Sequence, residues 1–139
     1  MERYRFLEHT ADVLFEAYGD SFEEALENAA EAMFSVMSRT GKTEGEKSFR
    51  VEEEADSLEN LAVFTLSTIL SECEIRQVLP ERFKVEKLAE SADGFRIAGR
   101  VFGGEWDSRK IKTNIKAVTH HLLRIQRNGK VAIRVLLDI

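Results

Sequence analysis

The apolar residues between Phe22 and Met37 recur at the three- to four-residue spacing of an α-helix, and acidic residues lie on the opposite side. Ser21 precedes this stretch and Glu24 follows it three positions later, which is the spacing of a capping box at a helix N-terminus. The pattern therefore predicts an amphipathic helix that begins after Ser21 and packs one face against a core.

A second apolar stripe with helical spacing runs from Leu58 to Cys73. Asp56 begins a capping-box pattern just before it, so Asp56 is the predicted N-cap. Val63 and Phe64 widen the stripe, which predicts that this second helix is the more buried of the two.

Apolar and polar residues alternate through most of the remaining chain, as expected for strands with one buried face. Asn128-Gly129 is a strong hairpin-turn pair. Pro80 is predicted to lie in a loop, and Gly103-Gly104 in a turn. The predicted strands cover residues 3–7, 13–18, 47–54, 82–89, 95–102, 112–119, 122–127 and 130–138.

About eight strands and two amphipathic helices predict an α+β fold in which the helices pack on a largely antiparallel β-sheet. The chain has 139 residues, enough for one domain with a substantial core. No repeat or Pro/Ser-rich linker interrupts it. We therefore expect a single compact domain over residues 1–139.

The net charge of −5 conceals an asymmetry along the chain. Residues 1–99 hold 11 Lys and Arg against 22 Asp and Glu, a balance of −11, whereas residues 100–139 hold 9 against 3, a balance of +6. The basic C-terminal third is suited to an acidic partner, to RNA or to the acidic part of the same protein.

The sequence has no pattern of a targeting signal or a membrane-spanning helix, and it contains a single cysteine. The charged start of the chain does not have the pattern of a secretory signal. No apolar run approaches the ~18–20 residues that a membrane-spanning helix needs, so no membrane association is expected. The single cysteine, Cys73, is predicted to be buried and inert on its helix. These features favour a reducing cytoplasmic location.

Two aspartates lie near opposite ends of the sequence. Asp12 precedes the second predicted strand, and Asp138 is followed only by Ile139 and its terminal carboxylate. If the strands next to these aspartates are neighbours, three acidic groups converge, and a cation, a basic side chain or water must compensate their repulsion. Oxygen ligands alone suit one hard divalent cation such as Ca²⁺, Mg²⁺ or Mn²⁺. A turn-forming Asp12 and a frayed C-terminus are the alternative.

Other candidate groups are less specific. Lys116 lies between two apolar residues of a predicted strand, where it can pair with one of the acids, bind a phosphate or remain a solvated lysine. His120 and His121 are adjacent in a predicted strand, so their side chains point to opposite faces and cannot share one ion. His9 is typical of a loop or core histidine. No motif of an established enzyme class is present.

The same segments, in the same order, resemble the archease family. The similarity extends over essentially the whole chain and is specific in combination. The chain departs from the family pattern at Leu14, where glycine is frequent, and at His120, where tyrosine is usual. The matching pieces are His9-Thr10-Ala11-Asp12-Val13, Gly19-Asp20-Ser21, Gly104-Glu105, Ile115-Lys116-Ala117-Val118-Thr119 with His121, and Asp138-Ile139.

The resemblance implies a compact α+β domain that acts as a protein cofactor and not as an enzyme. Its partner would be an RtcB-type RNA ligase, whose guanylylation and multiple turnover it promotes in tRNA splicing and RNA repair. Contact with tRNA would then be indirect, and a methyltransferase is a further partner to consider. Carried over by position, Asp12, Asp138 and Ile139 match the family's metal site, and Lys116 matches a lysine needed for activation. His9 is a further candidate for partner contact.

Two other functions remain open from the residues themselves. One is a metal-dependent phosphoester hydrolase, with Asp12 and Asp138 holding the metal and His9 or His121 as base. The other is an RNA-binding module that uses the basic C-terminal third. Its cationic candidates are Arg109, Lys110, Lys112, Lys116, Arg124, Arg127, Lys130 and Arg134. Few aromatic residues accompany these cations, so weak binding is expected from them.

Overall fold

The computed structural model describes residues 2–39 and 46–139. Within these ranges the chain forms seven strands, two α-helices and one short 3₁₀-helix. The elements are β1 (Tyr4–Leu7), β2 (Val13–Gly19), α1 (Phe22–Met37), β3 (Lys47–Ala55), α2 (Leu58–Arg76), β4 (Val78–Ser91), β5 (Gly94–Glu105), the 3₁₀-helix Ser108–Lys110, β6 (Ala117–Arg127) and β7 (Val131–Asp138). The predicted α+β class is confirmed.

The strands form two antiparallel sheets. A four-stranded sheet has the order β1-β2-β7-β6, and a three-stranded sheet has the order β3-β5-β4. Helix α1 contacts β2 and β7 of the first sheet and β4 of the second, while α2 contacts β6 of the first sheet and all three strands of the second. The helices therefore join the two sheets through one core.

Both helices begin at a serine cap. The Ser21 hydroxyl accepts a hydrogen bond from the Glu24 N–H at 3.1 Å, so the predicted cap of α1 is confirmed. The prediction of Asp56 as the cap of α2 is wrong. Ser57 occupies that position and accepts from the Asn60 N–H at 3.1 Å, whereas Asp56 accepts from the Asn60 side chain.

The expected difference in burial between the helices is not found. Nine of the 16 residues of α1 are buried, against nine of the 19 residues of α2, and Phe64 is exposed. Four alanines of α1 are fully buried because small side chains allow the helix to approach both sheets closely. A count of large apolar residues overlooks this contribution.

The two strands predicted at 112–119 and 122–127 are one strand, β6, which begins at Ala117. Residues 112–116 lie outside the strands because the N–H groups of Lys112 and Thr113 donate to the Met37 carbonyl, at 2.8 and 3.4 Å. The end of α1 therefore takes the hydrogen bonds that a strand partner would otherwise accept. The hairpin predicted at Asn128-Gly129 is confirmed, with a positive φ at Gly129.

The loop predicted at Pro80 and the turn predicted at Gly103-Gly104 are wrong, because both positions lie inside long strands. Pro80 pairs with Gly103 at a register shift of β4, where an irregular ladder tolerates a residue without an N–H. A side chain on Gly103 would collide with the backbone of Leu79. Glycine here permits close approach of two strands and does not reverse the chain.

To cross a membrane, α1 or α2 would have to be both long and strongly apolar. Neither helix, nor any other in the described ranges, combines the length and apolar character required to cross a bilayer.

Candidate functional site

The strand order of the four-stranded sheet brings distant parts of the sequence together. Strand β7 ends at Asp138 and lies between β2, which begins at Val13, and β6, which begins at Ala117. Because both neighbours run antiparallel to β7, the starts of β2 and β6 flank the end of β7. The predicted proximity of Asp12, Lys116 and the C-terminus thus follows from the pairing.

Asp12 and Asp138 lie opposite each other, one position beyond the last pair of the ladder between β2 and β7. Val13 pairs with Leu137, so extension of the register by one residue sets Asp12 opposite Asp138. Directly opposed residues of an antiparallel pair have Cβ atoms about 4.5–5.5 Å apart. Both aspartates are half-buried. The side chains of Val13 and Leu137 belong to the core side, which assigns the two carboxylates to the outer face of the sheet.

Lys116 is tied to the same place through its backbone. Its N–H donates to the Asp138 carbonyl at 2.7 Å, and the next residue, Ala117, pairs with Asp138 in the ladder. The Lys116 side chain is exposed, whereas that of Ile115 before it is buried. The strand predicted here is absent, yet Lys116 still lies beside the end of β7.

The loop between β1 and β2 leads directly into the site. Ala11 has a φ of 72°, in the left-handed region that residues other than glycine rarely adopt. His9, two residues earlier, is exposed. The unusual backbone at Ala11 sets the direction in which the chain enters Asp12 and then β2.

Charge at this edge of the sheet is not balanced by side-chain ion pairs. Among residues 2–39 and 46–139, neither Asp12 nor Asp138 has a basic side chain within ion-pair distance. The same ranges contain no group of three His, Cys, Asp and Glu side chains arranged to hold a metal ion. A third acidic ligand would have to be the terminal carboxylate of Ile139, whose residue is 37% exposed.

The next rung of polar residues on this face is internally satisfied. Glu16 lies opposite Arg134, which donates to it from Nε and Nη2 at 3.2 and 3.0 Å. The Tyr18 hydroxyl also donates to Glu16, at 3.1 Å. Burial, followed by this hydrogen bond, raises the pKa of Tyr18 above its ordinary value. Within the described ranges, the two aspartates therefore differ from Glu16 in having no basic side chain at ion-pair distance.

The two adjacent histidines lie where β6 is irregular. The pairing with β7 shifts between Thr119 and Arg124, and both histidines, which lie between these residues, are exposed. The His120 ring meets Phe64 of α2 edge-on, with centroids 6.1 Å apart. Extra residues in a β-bulge interrupt the two-residue period of a strand, so opposite directions of the two side chains stay a prediction.

Part of the basic C-terminal third is paired within the molecule. Arg134 binds Glu16, and the Arg109 guanidinium donates to both Asp107 oxygens at 3.1 Å. Hydrogen bonding to Arg109 lowers the pKa of Asp107. The side chain of Arg127, another cation of this set, lies outside the described part of the structure.

Sequence reasoning missed two residues near the site. Ala11 gave no signal because its backbone angle is not encoded by an obvious residue type. Thr119 pairs with Leu136, two positions along β6 from Ala117, and its buried hydroxyl has no hydrogen-bond partner among the described residues. Its position in the Lys116–Thr119 segment was the only sequence signal available.

Comparison with known proteins shows the family to which the chain belongs. The model of the Archease protein family matches residues 4–139. A protein archease from Methanosarcina mazei is 38% identical over 141 residues, covering 99% of this chain and 97% of the relative. A protein archease from Methanothermobacter thermautotrophicus is 36% identical, with both chains fully covered.

A solved structure also matches over its full length. The solution structure of Methanobacterium thermoautotrophicum protein 1598 superposes with a TM-score of 0.85 at 33% sequence identity, covering 100% of both chains. This chain therefore belongs to the archease family.

Proposed function

We propose that this chain activates an RtcB-type RNA ligase, promoting its guanylylation and multiple turnover in tRNA splicing and RNA repair. Membership of the archease family supports this role. The observation that carries the proposal is the pairing of β7 with both β2 and β6, by which Asp12 and Lys116 flank Asp138.

The proposed metal site consists of Asp12, Asp138 and the terminal carboxylate of Ile139. Its donor atoms are all oxygens, which suits Ca²⁺, Mg²⁺ or Mn²⁺. Like charges directly opposite each other repel, and among the described residues no basic side chain pairs with either aspartate, so a cation is the compensating group we propose. A divalent cation bound there would supply positive charge for an anionic group of the partner.

The residues of the chain have separate tasks in this proposal. Asp12 and Asp138 bind the divalent cation, and the pairing of β2 with β7 holds the two carboxylates in position. Lys116 adds a positive charge on an exposed side chain at the same edge, and His9 is an exposed contact in the preceding loop. Phosphoryl transfer depends on positioning and charge neutralisation, so a partner that supplies either raises the rate without covalent chemistry of its own.

A guanylylation assay tests the activating role. The cognate ligase is incubated with GTP and divalent metal, with and without this chain, and formation of the ligase–guanylate is followed. We expect wild type to accelerate the reaction and Asp138→Asn and Lys116→Ala to lose at least about tenfold of that acceleration. Asp93→Asn and Lys112→Ala, exposed residues of the same types, are matched controls and should act as wild type. Equal guanylylation with and without wild-type chain would remove the proposal.

Calorimetry tests the metal site separately. Asp138→Asn and a chain extended by several residues beyond Ile139 should bind the cation about 10- to 100-fold more weakly than wild type, with unchanged thermal unfolding of the metal-free chain. Asp93→Asn should bind like wild type. Unchanged affinity in both site variants would exclude the proposed ligands even if the ligase were still activated.

A further inference from the structure

The outer face of the three-stranded sheet, which we call the basic face, collects positive side chains from all three strands. Alternate residues of β3, β4 and β5 are buried, including Phe49, Phe83 and Val101. The others point outward and are brought together by the pairing of β5 with both neighbours. In register across β3, β5 and β4, the four rungs are Ser48, Phe102 and Arg82; Arg50, Arg100 and Lys84; Glu52, Ala98 and Lys87; and Glu54, Arg96 and Ala89.

The charge of this face is opposite to that of the whole chain. Six of its twelve positions are Lys or Arg and two are Glu, a balance of +4, whereas the chain carries −5. The exposed Glu81 and Glu86 lie in the bulges of β4 next to Arg82 and Lys87, and inclusion of both still leaves +2. The central rung has a cation on each of its three strands. Such clustering attracts a polyanion.

These cations are available to a ligand. Arg50 pairs with Glu52 at 2.8 Å and Arg96 with Glu54 at 2.9 Å, but more than half of each of these side chains is exposed, so water weakens both pairs. Lys84 lies 3.7 Å from Glu27 of α1, but its own side chain remains 65% exposed. The other three cations, Arg82, Lys87 and Arg100, have no carboxylate within ion-pair distance in the described ranges. Arginine side chains on one sheet face can each bind a phosphate through two donors.

One end of the face also carries a stacking element. The guanidinium carbon of Arg82 lies 4.4 Å from the centroid of the half-buried Phe102 ring. Unpaired bases stack on aromatic rings and on guanidinium planes, whereas the bases of a duplex are covered by their neighbours. The combination of a ring with surrounding cations is therefore more specific than charge alone.

We propose that the basic face binds single-stranded RNA, with phosphates on the central rung and a base at Phe102 and Arg82. The four rungs extend over about 20 Å along the strands, enough for several nucleotides. This face belongs to the sheet that does not contain Asp12 and Asp138, so the inference goes beyond the proposed metal site. The choice of RNA over DNA rests on the proposed function.

Binding is tested with a fluorescently labelled oligouridylate of about 10 nucleotides and the full chain. The central-rung variant Arg50→Ala/Lys84→Ala/Arg100→Ala should bind the oligouridylate at least about tenfold more weakly. The negative slope of log affinity against log salt concentration should become less steep by about 2. The control Arg109→Ala/Lys112→Ala/Arg124→Ala removes three exposed cations of the C-terminal third and should bind as wild type. Greater loss in this control would overturn the proposal in favour of the C-terminal third.

A separate variant tests the stacking of a base at Phe102, and unlabelled polymers test which ligand the basic face prefers. Phe102→Leu keeps the charge and should weaken binding by about fivefold or more. An unlabelled oligoglutamate, an RNA duplex and an oligodeoxyuridylate of matched length should all compete less well than oligouridylate. A face that merely attracts acidic polymers would show equal competition by oligoglutamate and no effect of Phe102→Leu, and that result would overturn the proposal.

Nuclear magnetic resonance locates the interface on unmodified protein. Addition of oligouridylate should shift the amide signals of β3, β4 and β5, and shifts confined to β6 and β7 would contradict the proposal. Ligase guanylylation in the absence of RNA should be unchanged by the central-rung variant. Failure of RNA binding and failure of activation are therefore separately observable.

Discussion

At the scale of single residues, Ala11 is the clearest case of backbone strain next to a candidate site. Its φ of 72° costs an alanine about 1–2 kcal/mol relative to ordinary backbone regions. The register of β2 begins with β7 at Val13 and with β1 at Leu14, and this pairing holds the chain in place. Strain maintained directly before Asp12 supports a role for this loop in directing that carboxylate.

Substitutions at Ala11 test this interpretation. We expect Ala11→Val to lower the free energy of unfolding by about 1 kcal/mol or more, because a β-branched side chain resists the left-handed region. Ala11→Gly should stay within about 0.5 kcal/mol of wild type, since relief of strain is offset by the freedom of glycine in the unfolded chain. Urea denaturation measures both. Ala92→Val, at another exposed alanine of a turn, is the control, and a loss there equal to that of Ala11→Val would contradict the explanation.

Cys73 shows how burial is linked to pH. Burial, with smaller contributions from Glu72 and Glu74, raises the pKa of its thiol to about 12. Below the unfolded pKa of about 8.5 the thiol is neutral in both states; above it only the unfolded state ionises, so stability falls as pH rises. The free energy of unfolding, measured by urea at about pH 8 and about pH 10, should drop by up to ~1.4 kcal/mol per pH unit more in wild type than in Cys73→Ala. Equal slopes for the two chains would contradict this assignment.

The residues of the candidate site differ in how far the sequence could indicate them. Asp12 and Asp138 were recognisable because they adjoin strongly patterned strands, and the register places them together. Lys116 was assigned to a strand that does not form, yet its backbone N–H donates to the Asp138 carbonyl and so lies beside the end of β7. Ala11 could not be recognised, because a left-handed alanine is imposed by the fold around it.

At the scale of elements, the N-termini of the helices offer a direct test of local structure. Ser57→Ala should lower the free energy of unfolding by about 1 kcal/mol, because the Asn60 N–H loses its acceptor. Asp56→Ala removes an exposed contact to the Asn60 side chain and should cost less. Chemical denaturation of the two variants compares them directly. A larger effect of Asp56→Ala would favour the cap that the sequence pattern had indicated.

The elements that the sequence predicts best are those held by local interactions. Helix α1 begins and ends where its periodicity indicates, since both the cap and the apolar stripe lie within the segment. Strand β6 and the region around Pro80 depend on partners that are distant in sequence. The Met37 carbonyl and the ladder with β5 decide them, and neither is visible as a local pattern. Division of the strands between two sheets is a long-range property of the same kind.

At the scale of the whole molecule, positive and negative side chains lie on different surfaces, and this separation is only partly visible along the sequence. The first 99 residues are acidic in total, yet five of the six cations of the basic face lie within them. Acidic residues of the same region occupy other surfaces, such as the exposed side of α2. A sum over a sequence segment combines both sides of each strand, so strand pairing is needed before a charged face can be recognised.

The position of the helices between the two sheets makes a prediction about unfolding of the entire fold. Leu66 of α2 is fully buried, and α2 contacts both sheets, so Leu66→Ala should lower the free energy of unfolding by about 2–5 kcal/mol. Ile75 on the same helix is 74% exposed, and Ile75→Ala should change it by no more than about 0.5 kcal/mol.

Because one helix supports both sheets, the Leu66→Ala chain should still unfold in one transition. Trp106 directly follows β5, and its backbone N–H donates to the Gln77 carbonyl at 3.2 Å, so its fluorescence reports on the end of that strand. Far-ultraviolet circular dichroism reports on all helices and strands. Coincident transitions by both probes are the expected result for a shared core. Loss of the fluorescence signal well before the dichroism signal would show that the three-stranded sheet unfolds independently, and the helices would then not couple the basic face to the sheet that holds Asp12 and Asp138.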